Sequence, residues 1–262
     1  MAKAHKKTDN GRYLENRGTG ELQTYIPWHN VVEVGSKGSS FRPFGIKTNR
    51  MHVFLSTIEY RYFLLSEWND EVVDIREQFP LDFNTTKSIA RDIGVKHSQN
   101  RGRPIVTTTD FVITVKSDNG YSYLARAIKT ESELSNPRTI EKLTVEREYW
   151  NQKDIDWKLV TDKDLPKILI KNIEILRPNF QRFEAGDTHN LVERNIRFYW
   201  NQYNEQQTIN VIRLCNSIDE RLNLDTGTSL KVFKYMVYSK AIFIDLNSRI
   251  LNFNMIKKGD QL

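Results

Sequence analysis

From Leu55 to Trp68 the apolar positions include Ile58, Tyr62 and Leu65, and they follow Ser56 and Thr57, either of which can cap a helix. That spacing predicts a helix with Glu59 on its first turn. Val72 to Phe79 alternates and stops at Pro80, the signature of a strand, and Lys87 to Ile93 predicts a short helix closed by Gly94. Two β-branched or aromatic runs, Thr107 to Lys116 and Tyr121 to Thr130, flank the turn Ser117-Asp118-Asn119-Gly120 and predict a hairpin. Pro137 opens a helix running to about Gln152, at a position where a missing N–H costs little, and Asp156 to Thr161 supplies another strand. Helix, strands, helix and strand in that order predict an α/β core with a mixed sheet, although the pattern leaves the strand order open.

After Leu165 the pattern turns helical. Lys167 to Leu176, Leu191 to Tyr203, Thr208 to Leu222 and Leu230 to Tyr238 each read as helices, with a polar stretch at Asn179 to Thr188. Val211, Cys215, Ile218 and Leu222 share one helical face, which makes Cys215 a core residue rather than a nucleophile. Ala241 to Asp245 and Arg249 to Asn254 predict a terminal hairpin around Asn247-Ser248, and helices followed by a hairpin suggest a winged-helix-like module that binds DNA or protein. Residues 1–24 lack periodicity and read as a flexible basic arm, and Gly35 to Gly45 as a loop. The expected organisation is an arm (1–24), an α/β domain (25–165) and a helical domain (166–262).

Composition narrows the chemistry. One cysteine among 262 residues excludes an internal disulfide, and five scattered histidines with no CxxC or HExxH spacing exclude the usual zinc arrangements. Any metal is therefore expected on oxygen ligands. No apolar run is long enough for a bilayer and no apolar stretch marks a signal peptide, so a soluble, cytoplasmic protein is expected. The net charge of +6 favours a polyanionic partner. Up to Leu165 there are 25 basic and 23 acidic side chains, and beyond it 14 and 10, so both parts are basic. In the first part cations gather at Lys37, Arg42, Lys47 and Arg50, and again at Lys87, Arg91, Lys96, Arg101 and Arg103. These clusters are either phosphate contacts or solvated loops.

Three polar residues stand among mostly apolar neighbours: Glu59 early in its helix, Asp110 in the first hairpin strand and Lys129 near the end of the second. Phosphodiester hydrolysis needs carboxylates to hold a divalent cation, and it gains from a lysine that stabilises charge developing on the phosphate. An acid on one strand, a lysine on the next and a helical Glu nearby form the PD-(D/E)xK nuclease arrangement. A structural ion pair between Asp110 and Lys129 explains the same residues as well. Two positions before Lys129, where that pattern places an acid or amide, stands Ala127. The backbone carbonyl of Ile128 remains an acceptable ligand for a hard cation.

The surrounding words resemble the TnsA family of endonucleases, subunits of heteromeric cut-and-paste transposases. They include Tyr25-Ile26-Pro27-Trp28, Arg50 with His52, Leu55-Ser56 with Glu59, Asp74-Ile75-Arg76-Glu77-Gln78-Phe79-Pro80-Leu81, Thr109-Asp110-Phe111, Lys129, Glu141-Lys142-Leu143 and Glu146-Arg147 with Tyr149-Trp150. The resemblance covers about the first 175 residues. It implies a restriction-endonuclease-like core in which Glu59, Asp110 and Lys129 are catalytic, with Mg²⁺ (or Mn²⁺) on Glu59, Asp110 and the Ile128 carbonyl. Arg50, Arg101 and Arg103 are the candidate DNA contacts. It further implies cleavage of the non-transferred strand at the 5′ ends of a transposon. The implied partners are a DDE transposase, TnsB, and an AAA+ regulator, TnsC, the latter contacted by the C-terminal domain. Ala127, where the family often carries Gln or an acid, leaves three readings: an active enzyme with water as the missing ligand, a natural variant with weaker metal affinity, or an engineered substitution. Outside this family stand a nuclease of restriction or repair type acting alone and a catalytically silent architectural subunit.

Overall fold

The computed structural model of the chain describes residues 7–30, 40–118, 120–177, 187–204 and 207–258. The chain divides into two compact units, Met1–Leu165 and Pro166–Leu262. Parts of the expected loops at Gly35 to Gly45 and Asn179 to Thr188, with Lys37 and Asn119, lie outside the described residues. No helix among the described residues is long and apolar enough to cross a membrane.

In the first unit the elements run α1 (Asp9–Leu14), β1 (Phe44–Gly45), β2 (Arg50–Met51), α2 (Thr57–Trp68), β3 (Val72–Pro80), α3 (Phe83–Asp92), β4 (Gln99–Asn100), β5 (Arg103–Pro104), β6 (Thr108–Ser117), β7 (Gly120–Lys129), α4 (Pro137–Asn151) and β8 (Asp156–Thr161). The central sheet is mixed, in the order β3-β6-β7-β8, with β7 and β8 parallel and the other pairs antiparallel. A parallel pair needs a crossover, and α4 supplies it. One face packs Val112 and Ala125 against Ile89 and Ala90 of α3 and Val145, Tyr149 and Trp150 of α4. Toward α2, Phe111 meets Tyr62, and Phe54 lies against both Phe63 and Phe111. Each helix start has its chemical reason: Ser56 Oγ accepts from the Glu59 N–H at α2, Asp82 caps α3, and Asn136 with Pro137 opens α4.

The N-terminal segment corrects the expectation of a flexible arm for the residues described. Thr8 caps α1, Asp9 accepts from the Val106 N–H at 2.9 Å, and the buried Arg17 donates to the Trp28 carbonyl at 3.1 Å. Its charged side chains thus tie the segment down, while polar composition alone reads as disorder.

The second unit contains α5 (Lys167–Leu176), α6 (Asp187–Gln202), β9 (Thr208–Ile209), α7 (Val211–Leu222), α8 (Thr228–Tyr238) and β10 (Ile256–Lys257). Cys215 is fully buried among Val211, Leu214 and Ile218 on α7, as the helical spacing predicted. The expected terminal hairpin is shifted: Ile244 pairs antiparallel with Lys258, not with residues 249–254. Asp245 closes a tight turn by accepting from the Asn247 N–H, and the buried Asn172 of α5 binds the carbonyls of Leu246 and Arg249 and the N–H of Leu251, each at 2.8 Å. A side chain satisfies the backbone groups that a strand ladder would have paired. β10 instead pairs with β9, and Ile244 forms an isolated bridge with Lys258. Ile244, β10 and β9 thus lie side by side, with residues 245–255 as the loop between the two C-terminal segments.

Candidate active site

Asp110 lies near the start of β6 and Lys129 at the end of β7, so the antiparallel pairing brings them to the same end of the sheet. One carboxylate oxygen, Asp110 Oδ2, accepts from the Ile128 N–H at 2.7 Å and from Lys129 Nζ at 2.8 Å. Lys129 Nζ also donates to the Ile128 carbonyl at 2.8 Å. Among the described residues Asp110 Oδ1 has no hydrogen-bond partner, which leaves it open to a ligand. Glu59 approaches from the first turn of α2, with Ser56 Oγ donating to Oε1 at 2.7 Å, and the Leu55 N–H at 3.0 Å and Gln78 Nε2 at 3.3 Å donating to Oε2. Glu59, Asp110 and Lys129 therefore come together as their sequence context suggested.

A fourth ionisable group belongs to this cluster and was not legible as such. Glu146, on the inward face of α4, accepts from Trp157 Nε1 of β8 at 3.1 Å. Only membership of a longer word, without any chemistry assigned to it, singled it out in the sequence. Burial, and then the charge of Asp110, pushes the Glu146 carboxyl up to about 7 against the opposing pull of Lys129. The same two causes raise Glu59 to about 7, opposed by the Leu55 N–H, the Ser56 hydroxyl and Lys129. Burial works against the Lys129 ammonium, yet the charge and hydrogen bond of Asp110 outweigh it and hold the amine protonated, above an ordinary lysine. The site is thus an excess of buried carboxylate around one cation.

Gln78, which the sequence offered only within a longer family word, also reaches this cluster. It lies inside β3 with a φ of +52°, a left-handed conformation rare for a residue with a side chain, at a cost of about 1–3 kcal/mol. Its neighbour Glu77 anchors a buried network. Oε1 and Oε2 of Glu77 accept from the Arg50 guanidinium at 2.8 and 2.6 Å, His52 Nδ1 lies 2.8 Å from Oε2, and Thr48 Oγ1 lies 2.7 Å from His52 Nε2. Burial pulls Glu77 upward, but His52 and Arg50 prevail and hold its carboxyl down at about 2.

That network corrects the assignment of Arg50 to DNA. Its remaining donors go to the carbonyls of Leu22, Met51 and Ile75, so all five guanidinium N–H groups are taken. A buried, saturated arginine has nothing left for phosphate. Arg101 and Arg103 are placed otherwise: both are exposed, on the β4–β5 hairpin, whose turn at Arg101 and Gly102 has positive φ at both residues. His97 is structural, with Nε2 3.0 Å from Thr86 Oγ1 and its ring edge-on to Phe83.

Whether these residues suit a divalent cation can be tested on their geometry. Asp110 Oδ2 and the Ile128 carbonyl already converge on one cationic group, the Lys129 amine, at 2.8 Å each. Two carboxylates whose mutual charge raises Glu59 gain directly from added positive charge. Among the described residues no group of three or more His, Cys, Asp or Glu side chains forms a complete metal cage. Mg²⁺ characteristically uses one or two carboxylates and completes its shell with water and substrate phosphate, so the donor set fits it. Ala127, fully buried on β7, contributes no donor.

Comparison with known proteins gives the family. A family model described as the TnsA-like endonuclease N-terminal region matches residues 69–162, and one described as the TnsA endonuclease C-terminal region matches residues 164–246. The chain is also 39% identical over 219 residues to the transposon Tn7 transposition protein TnsA of Escherichia coli, which spans 84% of this chain and 78% of that protein. Asp110, Lys129 and Glu146 fall within the first model, whereas Glu59 and Gln78 are split by its boundary, Glu59 outside and Gln78 inside.

Proposed function

We propose a function from one premise: the chain belongs to the TnsA endonuclease family, and is a DNA endonuclease of Tn7-like transposition. The reading that goes further is a Mg²⁺-dependent nuclease of the PD-(D/E)xK type that cuts the non-transferred strand at the 5′ ends of the element. The observation that carries it is the convergence of Glu59, Asp110, the Ile128 carbonyl and Lys129 at one end of the sheet.

Glu59, Asp110 and the Ile128 carbonyl would hold the cation, which when bound polarises the scissile phosphate and lowers the pKa of an attacking water. The chain's own residues do the rest. Asp110 presents its open Oδ1 while Oδ2 is fixed by the Ile128 N–H. Lys129, kept charged, is available to a phosphate oxygen as negative charge develops on it, a contact that strengthens in the transition state. Glu59 and Glu146 are both buried, so their carboxylates lose bulk solvation and gain from a bound cation. Arg101 and Arg103 would hold the DNA backbone, without reading sequence. Placement at the transposon end then falls to partners, a DDE transposase and an AAA+ regulator, with residues 166–262 as the surface for the regulator.

Strand nicking at a transposon end, with Mg²⁺ and the transposase partner, tests this reading. Wild type should nick the 5′ end, and Asp110→Ala should lose more than ~10²-fold in rate. Ala127 favours a second reading, a silent architectural subunit. That reading wins if wild type and Asp110→Ala are equally inert.

A further inference from the structure

Residues two apart on a strand ordinarily face the same side. Around Gln78 they do not. Glu77 meets Arg50 and His52, whereas Phe79 packs on Trp150 of α4 with ring centroids 6.0 Å apart. The neighbouring strand changes face at the matching place: Phe111 packs on Tyr62 of α2, while Thr109 Oγ1 accepts from Trp150 Nε1 at 2.7 Å. The two strands switch at Gln78 and Asp110, which lie opposite each other between the Glu77–Phe111 and Phe79–Thr109 pairs.

Gln78 makes the switch with its left-handed backbone. The conformation is held from outside: the Trp28 N–H donates to the Gln78 carbonyl at 3.3 Å, and the Tyr25 hydroxyl donates to the Glu77 carbonyl at 2.9 Å. Glu77 itself is pinned by Arg50 and His52. The buried Gln78 side chain ends on Glu59, with Nε2 3.3 Å from Oε2. On the other side of Asp110 the register continues to Ala127, next to the Phe111–Arg126 pair, and Ala127 has only a methyl group. Of the two side chains flanking Asp110 in the sheet, Gln78 alone carries a polar group. A strand position needing nothing but positive φ is best filled by glycine.

We propose that Gln78 is a positioning residue: the fold holds it left-handed so that its amide fixes the Glu59 carboxylate beside Asp110, ready for a divalent cation. The inference rests on the metal-dependent reading above and deepens it. Gln78 acts through Glu59 and takes over the role of polar flank that β7 cannot supply at Ala127.

The test is Mn²⁺ binding by the full chain, read from the resonance of free Mn²⁺, together with thermal melting in the absence of divalent cations. The variants are Gln78→Gly, Gln78→Asn and Glu59→Gln. Glycine adopts positive φ freely and asparagine tolerates it, so both Gln78 variants should melt close to wild type. Both should bind Mn²⁺ about tenfold more weakly, the loss typical of a group that orients a ligand. Unchanged Mn²⁺ affinity in either folded variant overturns the proposal, whatever its melting temperature. If Glu59→Gln abolishes binding while Gln78→Gly retains it, the metal-dependent reading stands and only the role of Gln78 falls. Wild type that binds no Mn²⁺ overturns both.

Discussion

Glu59 and Glu146 illustrate how one residue's surroundings set both its chemistry and its cost. Each carboxyl sits near 7 in the folded protein against about 4.5 for a free glutamate. The folded state therefore binds these protons more tightly than the unfolded chain, and stability falls as pH rises from about 4.5 through 7. Without divalent cation, Glu59→Gln or Glu146→Gln should raise stability by about 2 kcal/mol at pH 8 and change little at pH 4. Urea denaturation at the two pH values measures this, and equal effects at both would refute it. Mg²⁺ should reverse the sign for Glu59→Gln, since it stabilises only a protein that still binds it. Arg50 makes the opposite case, since removing it strands a buried carboxylate. Arg50→Ala should cost about 3–5 kcal/mol in denaturant unfolding. The DNA affinity of the folded fraction should not change, as fluorescence anisotropy would register.

The β4–β5 hairpin is the element to test for DNA, because both of its arginines are exposed. Arg101→Ala and Arg103→Ala should each weaken binding to any DNA sequence and lower the slope of log affinity against log salt by about 1. Melting temperature should stay constant. A salt slope that does not move removes the hairpin from the interface. At this scale the sequence was legible where local chemistry and tertiary packing agree. β8 and α5 span the residues their periodicity predicted, Ser56 caps α2, and α4 opens at Pro137. It was illegible where a distant side chain decides. Asn172 holds residues 246–251 from 74 or more residues away, where the letters alone display a strand, and the change of face at Gln78 breaks an alternation that they display as regular. In the site, Glu59, Asp110 and Lys129 stood out as polar residues in apolar runs. Glu146 did not, because a helix carrying several charges hides the one that turns inward.

The whole chain is two compact units joined at Leu165–Pro166, and the candidate site lies wholly within the first. Residues 1–165 alone should melt in one cooperative transition and keep wild-type Mn²⁺ affinity, whereas loss of either in calorimetry would show that the second unit is needed to complete the first. The second unit can be followed separately through Cys215, the sole thiol of the chain. Burial pushes that thiol up to about 12, so it is protonated, shielded and inert while α7 stays packed. A thiol-reactive dye therefore becomes a clock. Its rate of incorporation counts the moments when the second unit opens, and slower labelling on mixing with a partner would locate where that partner docks without a single substitution.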